Sequence, residues 1–389
     1  MVEWKKIGDI AKCYAGATPS TKNASYWEDG IIPWMSSGEV HQGIVTHTAT
    51  YITQLGYDNS STKMIPKGSI VIALAGQGKT RGSVAITDIE LCTNQSLCGI
   101  VLDKSDIINK YVYYFLGTRY NHLRKISSGE GTRGGLNLKM ISEYEIPIPA
   151  ISEQVRIVGI LDTFTSSIDN LKQQIVQRRK QYEYYRDQLL DLEGKEGVEM
   201  KTLGEIFDTR NGYTPSTSNS AFWDGGVIPW FKMEDIRDNG RILSDSNLHI
   251  TPFAVKGKGL FKANSIILAT SATIGEHALI TVEHLCNQRF TNFYPNKDYA
   301  DKVNMKYFYY YMFVIDEWCK QHLKQGSFAS VDMTGLFNLL IPVPSLSEQQ
   351  RIVDILDKFE ASIQNLEAQL AQREKQYEYY RNKLLTFED

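Results

Sequence analysis

Residues Thr18–Thr21 read TPST, and the same four letters return at Thr214–Thr217, 196 positions later. Trp27 returns as Trp223, Ile32-Pro33-Trp34 as Ile228-Pro229-Trp230, and Gly68-Ser69-Ile70 as Asn264-Ser265-Ile266, all at that spacing. The offset then slips to 195: IPIPAISEQVRIV at Ile146–Val158 pairs with IPVPSLSEQQRIV at Ile341–Val353, and QYEYYR at Gln181–Arg186 with Gln376–Arg381. An offset held over nearly the whole chain is an internal duplication, and it constrains the architecture before any local signal is read. Each copy divides into a globular segment followed by a shorter helical one, placed at 1–150 and 151–195 in the first copy and at 200–345 and 346–389 in the second.

The shorter segments read as long helices. Pro149 and Ser152 mark the first start and Pro344 and Ser347 the second. Along the first run Ile157, Leu161, Phe164, Ile168, Leu171, Ile175, Arg178, Tyr182, Tyr185 and Leu189 in steps of four and three, a heptad seam. The second seam is Ile352, Leu356, Phe359, Ile363, Leu366, Leu370, Arg373, Tyr377, Tyr380 and Leu384. Arg178 and Arg373 interrupt the seams at the same place, and a register-setting polar pair is a plainer reading than a direct DNA contact. Two such helices would pack antiparallel, with pseudo-two-fold symmetry and a globular domain at each end. At 1.5 Å per residue a helix of this size spans roughly 50–60 Å, the length of a spacer.

The globular copies read as α+β. Ile70–Leu74 and Ile266–Leu268 are buried-strand runs, with Ser83–Ile86 and Ala278–Thr281 as further strands. Asn109–Leu123 and Asn304–Leu323 read as aromatic helices whose rings belong to a core rather than to a base-stacking surface.

A chain of 389 residues, 42% hydrophobic, can bury two or three such cores. Five dispersed cysteines with no C-x-x-C spacing exclude a zinc ribbon and a disulfide framework, and suit a reducing compartment. No apolar run approaches membrane-spanning length and MVEWKKIGDI lacks a signal-peptide core, so a cytoplasmic protein is expected. Catalytic signatures fail one by one. IVIALAGQGKT at Ile70–Thr80 imitates a phosphate loop, but Ala73 occupies the first glycine position and a strand follows in place of a helix. The second copy has SATIGEH there, without lysine. The histidines form no ligand set. Cys92 and Cys286, each just ahead of an Asn-Gln pair, read as buried thiols beside a turn. Neither a dinucleotide loop nor an adenine-methyltransferase tetrapeptide is present.

The order of motifs resembles the DNA-specificity subunit of type I restriction–modification systems. The resemblance rests on the Trp4–Ile10 opening, TPST-x5-W, IPW followed by Glu39 or Asp235, the C-x0–1-N-Q step, and IP[IV]P-x2-SEQ-x-RIV leading into the long helix. The second copy departs from the opening, with Lys201–Ile206 lacking the tryptophan. Membership implies two target recognition domains, each reading one half of a split sequence in double-stranded DNA. It implies helices that set the gap and dock two methyltransferase subunits, and restriction/translocase subunits that can join them. This chain would carry no cofactor and no catalysis, S-adenosylmethionine being held by the partner subunits, and no membrane is implied. Rivals are a module of a related multisubunit or fused modification system, and a coiled-coil scaffold that reads no DNA.

Readout belongs where the copies diverge. GQGKTRG in the first faces SATIG in the second, and MSSGEV faces FKMEDI. The expected DNA contacts are the hinge loop (Gln77, Lys79, Thr80, Arg81), its counterpart (Ser271, Thr273), and the loops after IPW (Ser36, Ser37, Lys232, Glu234). Arg133 and Ser327 come from SSGEGTRGG and KQGSFAS. Divergent loops imply an asymmetric target. The net charge of −3 conceals near-neutral domains and acidic helices: 15 basic against 13 acidic side chains in 1–150, but 7 against 9 in 151–199 and 6 against 9 in 346–389. Because phosphate neutralisation dominates DNA affinity, weak binding by the chain alone is expected, with partners supplying backbone grip. The acidic helices and the YEYYR ends read equally as solvated coiled coil and as surfaces for partner helices.

Overall fold

The strand IVIA at Ile70–Ala73 is buried at all four positions, as expected for a central strand covered on both faces. A computed structural model describes residues 2–76, 79–127, 135–324 and 329–387, and places this strand third in a five-stranded sheet. The order is Ala11–Ala15, Leu97–Leu102, Ile70–Ala73, Val84–Thr87 and Ile44–Val45, antiparallel except for the last pair. A three-stranded sheet (Thr50–Ile52, Ile32–Met35, Cys92–Thr93) packs nearby, and Glu3–Lys6 pairs with Glu145–Ile148.

The second copy repeats these strands and adds one further pair, Leu323–Lys324 with Ser330–Val331. Its five-stranded sheet runs Phe207–Asn211, Phe290–Pro295, Ser265–Ala269, His277–Ile280, Ile242–Leu243. Its small sheets are His249–Ile250, Ile228–Phe231, Leu285–Cys286, and Glu199–Thr202 with Leu340–Val343. The expected strands are all present with ends displaced by a residue or so. The helix expected over Asn109–Leu123 is two, Asn109–Thr118 and Tyr120–Ile126. Gly117 is a poor helix former, and the Thr118 hydroxyl turns back onto the Phe115 carbonyl, so the first helix ends there. In the second copy one helix runs unbroken through Met305–Gln321. The aromatic residues of both are core: Tyr111, Phe115, Tyr307, Phe308 and Tyr310 are fully buried.

The long helices occupy Ile151–Leu190 and Leu346–Leu384. The chain forms two compact units, Met1–Lys172 with Ala368–Asp389, and Gln173–Glu367, so each unit combines one globular domain with lengths of both long helices. In the first unit Phe164 stacks on Tyr380 (5.3 Å) and Lys172 pairs with Glu374 (3.5 Å). In the second, Tyr185 stacks on Phe359 (5.4 Å) and Arg179 pairs with Glu367 (2.5 Å). In each unit rising numbers on one helix meet falling numbers on the other, so the helices are antiparallel. Leu161, Ile168, Ile175 and Leu356 of the seams are buried, while Leu171, Ile363, Leu366 and Leu370 are half-buried. The seam arginines differ from the expected polar pair in having an aromatic partner: Arg178 lies over the Phe359 ring at 6.0 Å and Arg373 over Phe164 at 5.7 Å.

Each long helix is rooted in its own domain by a buried glutamine. Gln154 Oε1 accepts from the Ile108 amide (2.9 Å) while its Nε2 donates to the carbonyls of Asp106 (3.1 Å) and Pro149 (2.9 Å). Gln349 repeats this with the Asn304 amide (2.7 Å), Lys302 (3.0 Å) and Pro344 (2.8 Å). Two turns further on, Asp162 takes Lys110 (2.7 Å) and the Tyr114 hydroxyl (2.6 Å), and Asp357 takes Lys306 (2.7 Å) and Tyr310 (2.6 Å). A buried group left unpaired costs about 1–3 kcal/mol, and Gln349→Ala strands three. The variant should lose about 3 kcal/mol or more in urea unfolding, while Gln181→Ala on an exposed face stays within about 0.5 kcal/mol.

Candidate nucleic-acid interface

The divergent loops converge at one end of each five-stranded sheet because three chain crossings meet there. Strand Ala11–Ala15 ends where Leu97–Leu102 begins, and Ile70–Ala73 ends beside the same point. Gly16 and Gly212 permit the crossing, since a Cβ at either would fall inside the carbonyls of Thr93 and Asn94, or of Cys286 and Asn287. The Thr18 hydroxyl donates to the side chain of Gln95, and Thr214 does the same to Gln288, which ties TPST to the Asn-Gln turn.

That turn is the hub of a rim. In the first domain Asn94 N donates to Met35 O (3.0 Å), Leu74 N to Ser96 O (2.8 Å) and Leu136 N to Leu74 O (2.8 Å). The loop after IPW, the Asn-Gln turn, the hinge loop and the segment after 134 are thereby joined by backbone bonds. The second domain has the same three links: Asn287 N to Phe231 O, Thr270 N to Arg289 O and Val331 N to Thr270 O, each 3.0 Å. Beneath the rim a buried carboxylate holds the loop after IPW. Glu39 accepts from the amides of Ser36 (2.7 Å) and Ala49 (2.8 Å), and Asp235 from those of Lys232 (2.7 Å) and Asn247 (2.6 Å). The repeated motifs are therefore the frame of the rim. Repeated tryptophans brace it: Trp27 and Trp34 meet edge to face at 5.1 Å, Trp223 and Trp230 at 5.2 Å.

Of the expected contacts, Ser36, Ser37, Lys232 and Glu234 lie on the loop after IPW, with Lys232 3.9 Å from Glu234. Lys79 is exposed, and its carbonyl accepts from the Tyr120 hydroxyl at 2.7 Å. Thr80 is half-buried next to it. Arg81 differs from expectation: only 6% exposed, it sits inside the domain, its carbonyl accepting from Arg124 at 3.3 Å. Ser271 bridges Ser330 on the rim, and Thr273 follows Ala272, which holds φ at 65°. That left-handed backbone costs an alanine of order 1 kcal/mol. Gln77, Arg133 and Ser327 lie outside the described residues. Gln95, Gln288 and Arg289, also on the rim, were not among the expected contacts. Arg289 was detectable as the residue after a repeated Asn-Gln where the other copy has Ser96.

Burial pushes the Cys92 thiol up to about 11 and raises Cys286 further, which suits packed thiols rather than nucleophiles. Among the described residues no group of three or more His, Cys, Asp or Glu side chains could hold a metal ion, and no helix is long and apolar enough to cross a membrane. What the rim offers is a row of amides, hydroxyls and cations, the chemistry of base edges and phosphates.

The model of the type I restriction modification DNA specificity domain matches the chain twice, at residues 1–178 and 195–374. The chain belongs to that family. Sequence-specific DNA recognition in a type I restriction–modification system is the function that membership carries. The specificity subunit of the Escherichia coli enzyme EcoR124I/EcoR124II is 33% identical over 99% of this chain and 94% of its own length. That of E. coli EcoprrI is 50% identical over 216 residues, 53% of each chain. The S subunit from M. genitalium shares the fold, with a TM-score of 0.57 at 16% identity over 100% of this chain and 97% of that one. A chain from a structure on complex assembly and conformational transition of the type I system gives 0.66 at 18% identity, over 99% and 96%.

Beneath the rim the second domain carries titratable groups the first lacks. His284, fully buried, donates from Nδ1 to Val282 O (2.9 Å) and accepts at Nε2 from Asn292 Nδ2 (3.4 Å), and burial pulls its pKa down to about 4. The unfolded chain, with histidine near 6.5, takes its proton first. The stability this ring contributes is full above pH 6.5 and falls as pH drops toward 4, by about 3 kcal/mol in all. Buried His277, paired with Asp316 at 2.7 Å, is lowered in the same direction by its burial. His284→Leu, the residue at Leu91 of the first copy, should flatten the slope between pH 6.5 and 4 in denaturant titrations.

Proposed function

We propose that this chain is the non-catalytic reading subunit of a cytoplasmic type I complex, each domain recognising one half of a split, asymmetric sequence in double-stranded DNA. The observation that carries this is the duplicated rim: the same backbone frame, built from repeated residues, presents different side chains in the two domains. Identical frames suit one polymer, and different side chains suit two different half-sites. The long helices set the gap. Their outer faces, where Tyr184 and Tyr379 stand 62% and 58% exposed, dock two methyltransferase subunits. Those subunits bring S-adenosylmethionine and methylate adenine, and restriction/translocase subunits join the complex to cut. Rim residues Ser36, Ser37, Lys79, Thr80, Lys232, Glu234, Ser271 and Thr273, together with Gln77, Arg133 and Ser327, supply contacts; buried Arg81 supports the loop from within.

Expressed with its methyltransferase partner, the chain should produce a split N6-methyladenine motif in the genome that vanishes on its deletion; an unchanged methylome overturns the reading. Exchanging residues 1–150 for another recognition domain should alter one half of the motif and leave the other intact. The isolated chain should bind a duplex carrying the motif far more weakly than the complex does, a difference read by titration at 150 mM salt.

A further inference from the structure

The two rims share a backbone, so they can be compared position by position. Lys232 stands where the first domain has Ser36, and Arg289 where it has Ser96, the residue whose carbonyl receives the hinge-loop amide in each copy. The first domain instead carries an exposed cation, Lys79, on the longer hinge loop. Positive charge has thus moved from one loop to its neighbours while the frame stayed fixed.

Arg289 stands out among these groups. It is exposed, it sits at the hub of the second rim, and among the described residues its side chain makes no ion pair or hydrogen bond. Lys232, by contrast, has Glu234 at 3.9 Å. The turn below Arg289 is anchored: the Asn287 side chain accepts from its amide at 3.0 Å and its own carbonyl holds Thr270. The guanidinium therefore extends from a fixed base whose carbonyl is bonded to Thr270, two residues before Ala272 and its left-handed backbone.

Accepting the DNA-reading function proposed above, we infer that Arg289 is a specificity-determining residue of the second domain, reading a guanine edge in its half-site. The argument turns on the difference from Ser96. Phosphates are identical in every half-site, so gripping them does not require equivalent points of the two copies to differ. Bases differ between half-sites, and a reader of bases must differ with them. Arginine fits guanine in particular, with two parallel donors for O6 and N7. Lysine, with one point charge, fits less specifically.

The test uses the full complex with its methyltransferase, comparing wild type, Arg289→Ser and Arg289→Lys by methylome mapping and by duplex binding at several salt concentrations. Arg289 lies outside the core, so neither variant disturbs folding, which thermal unfolding verifies. Both variants should relax one guanine position in one half of the motif, with discrimination there falling about tenfold to a hundredfold, and leave the other half unchanged. If both keep the wild-type motif, the inference is overturned, including the case where serine weakens binding uniformly, lowers the salt slope by about one and lysine restores it, the mark of a phosphate contact. If the wild-type complex itself yields no split motif, the fault lies with the DNA-reading function and not with this residue.

Discussion

The buried glutamines are the joints of this molecule. A long helix with a narrow apolar seam has little to fix its direction against a globular domain, since seam contacts tolerate sliding and rotation. Gln154 and Gln349 remove that freedom, because each satisfies one amide and two carbonyls from a fully buried position, where misalignment leaves polar groups stranded. The Asp162 and Asp357 clusters then fix rotation by holding a lysine and a tyrosine from the neighbouring aromatic helix. With each helix rooted at two points, the rest of the seam needs only modest packing.

The same division of labour governs the rims. Residues that repeat between copies (the Thr18–Gln95 and Thr214–Gln288 links, the Glu39 and Asp235 caps, the tryptophan pairs) all satisfy or pack the frame. Several rim residues that differ, Lys79, Glu234, Ala272 and Arg289 among them, are exposed. Repetition marks what folding requires of both halves, and divergence marks what it leaves free.

This explains which features were legible in the sequence. The duplication, the buried strands and the heptad seams are local or periodic, so letters alone reveal them. The break at Gly117 was also written locally, but the aromatic run masked it. Arg81 could not be placed, because its burial depends on the domain closing over it. The carboxylates of Glu39 and Asp235 were visible as motif letters, yet their role lies in amides ten and twelve residues further on. The cores diverge in concert as well: Ile65 with Leu91 and Gly99 in the first domain correspond to Phe261 with His284 and Asn292 in the second. A side chain at Gly99 would meet Ile65 Cγ2 at 2.9 Å, whereas Asn292 fills its site by bonding to Ser265 and His284. No single letter discloses such an exchange, since its logic is shared volume and shared hydrogen bonds.

The two compact units differ in how their chain is assembled. The second is one uninterrupted stretch, Gln173–Glu367, while the first needs Ala368–Asp389 to complete it. Tyr377 and Leu384 pack against its core, Tyr380 stacks on Phe164, and Arg119 reaches the Leu385 carbonyl across 266 positions of sequence. On a ribosome adding 5–20 residues per second, the first domain therefore waits on the order of 10–40 s for its last piece. The half of the protein that is synthesised first is the half that finishes folding last.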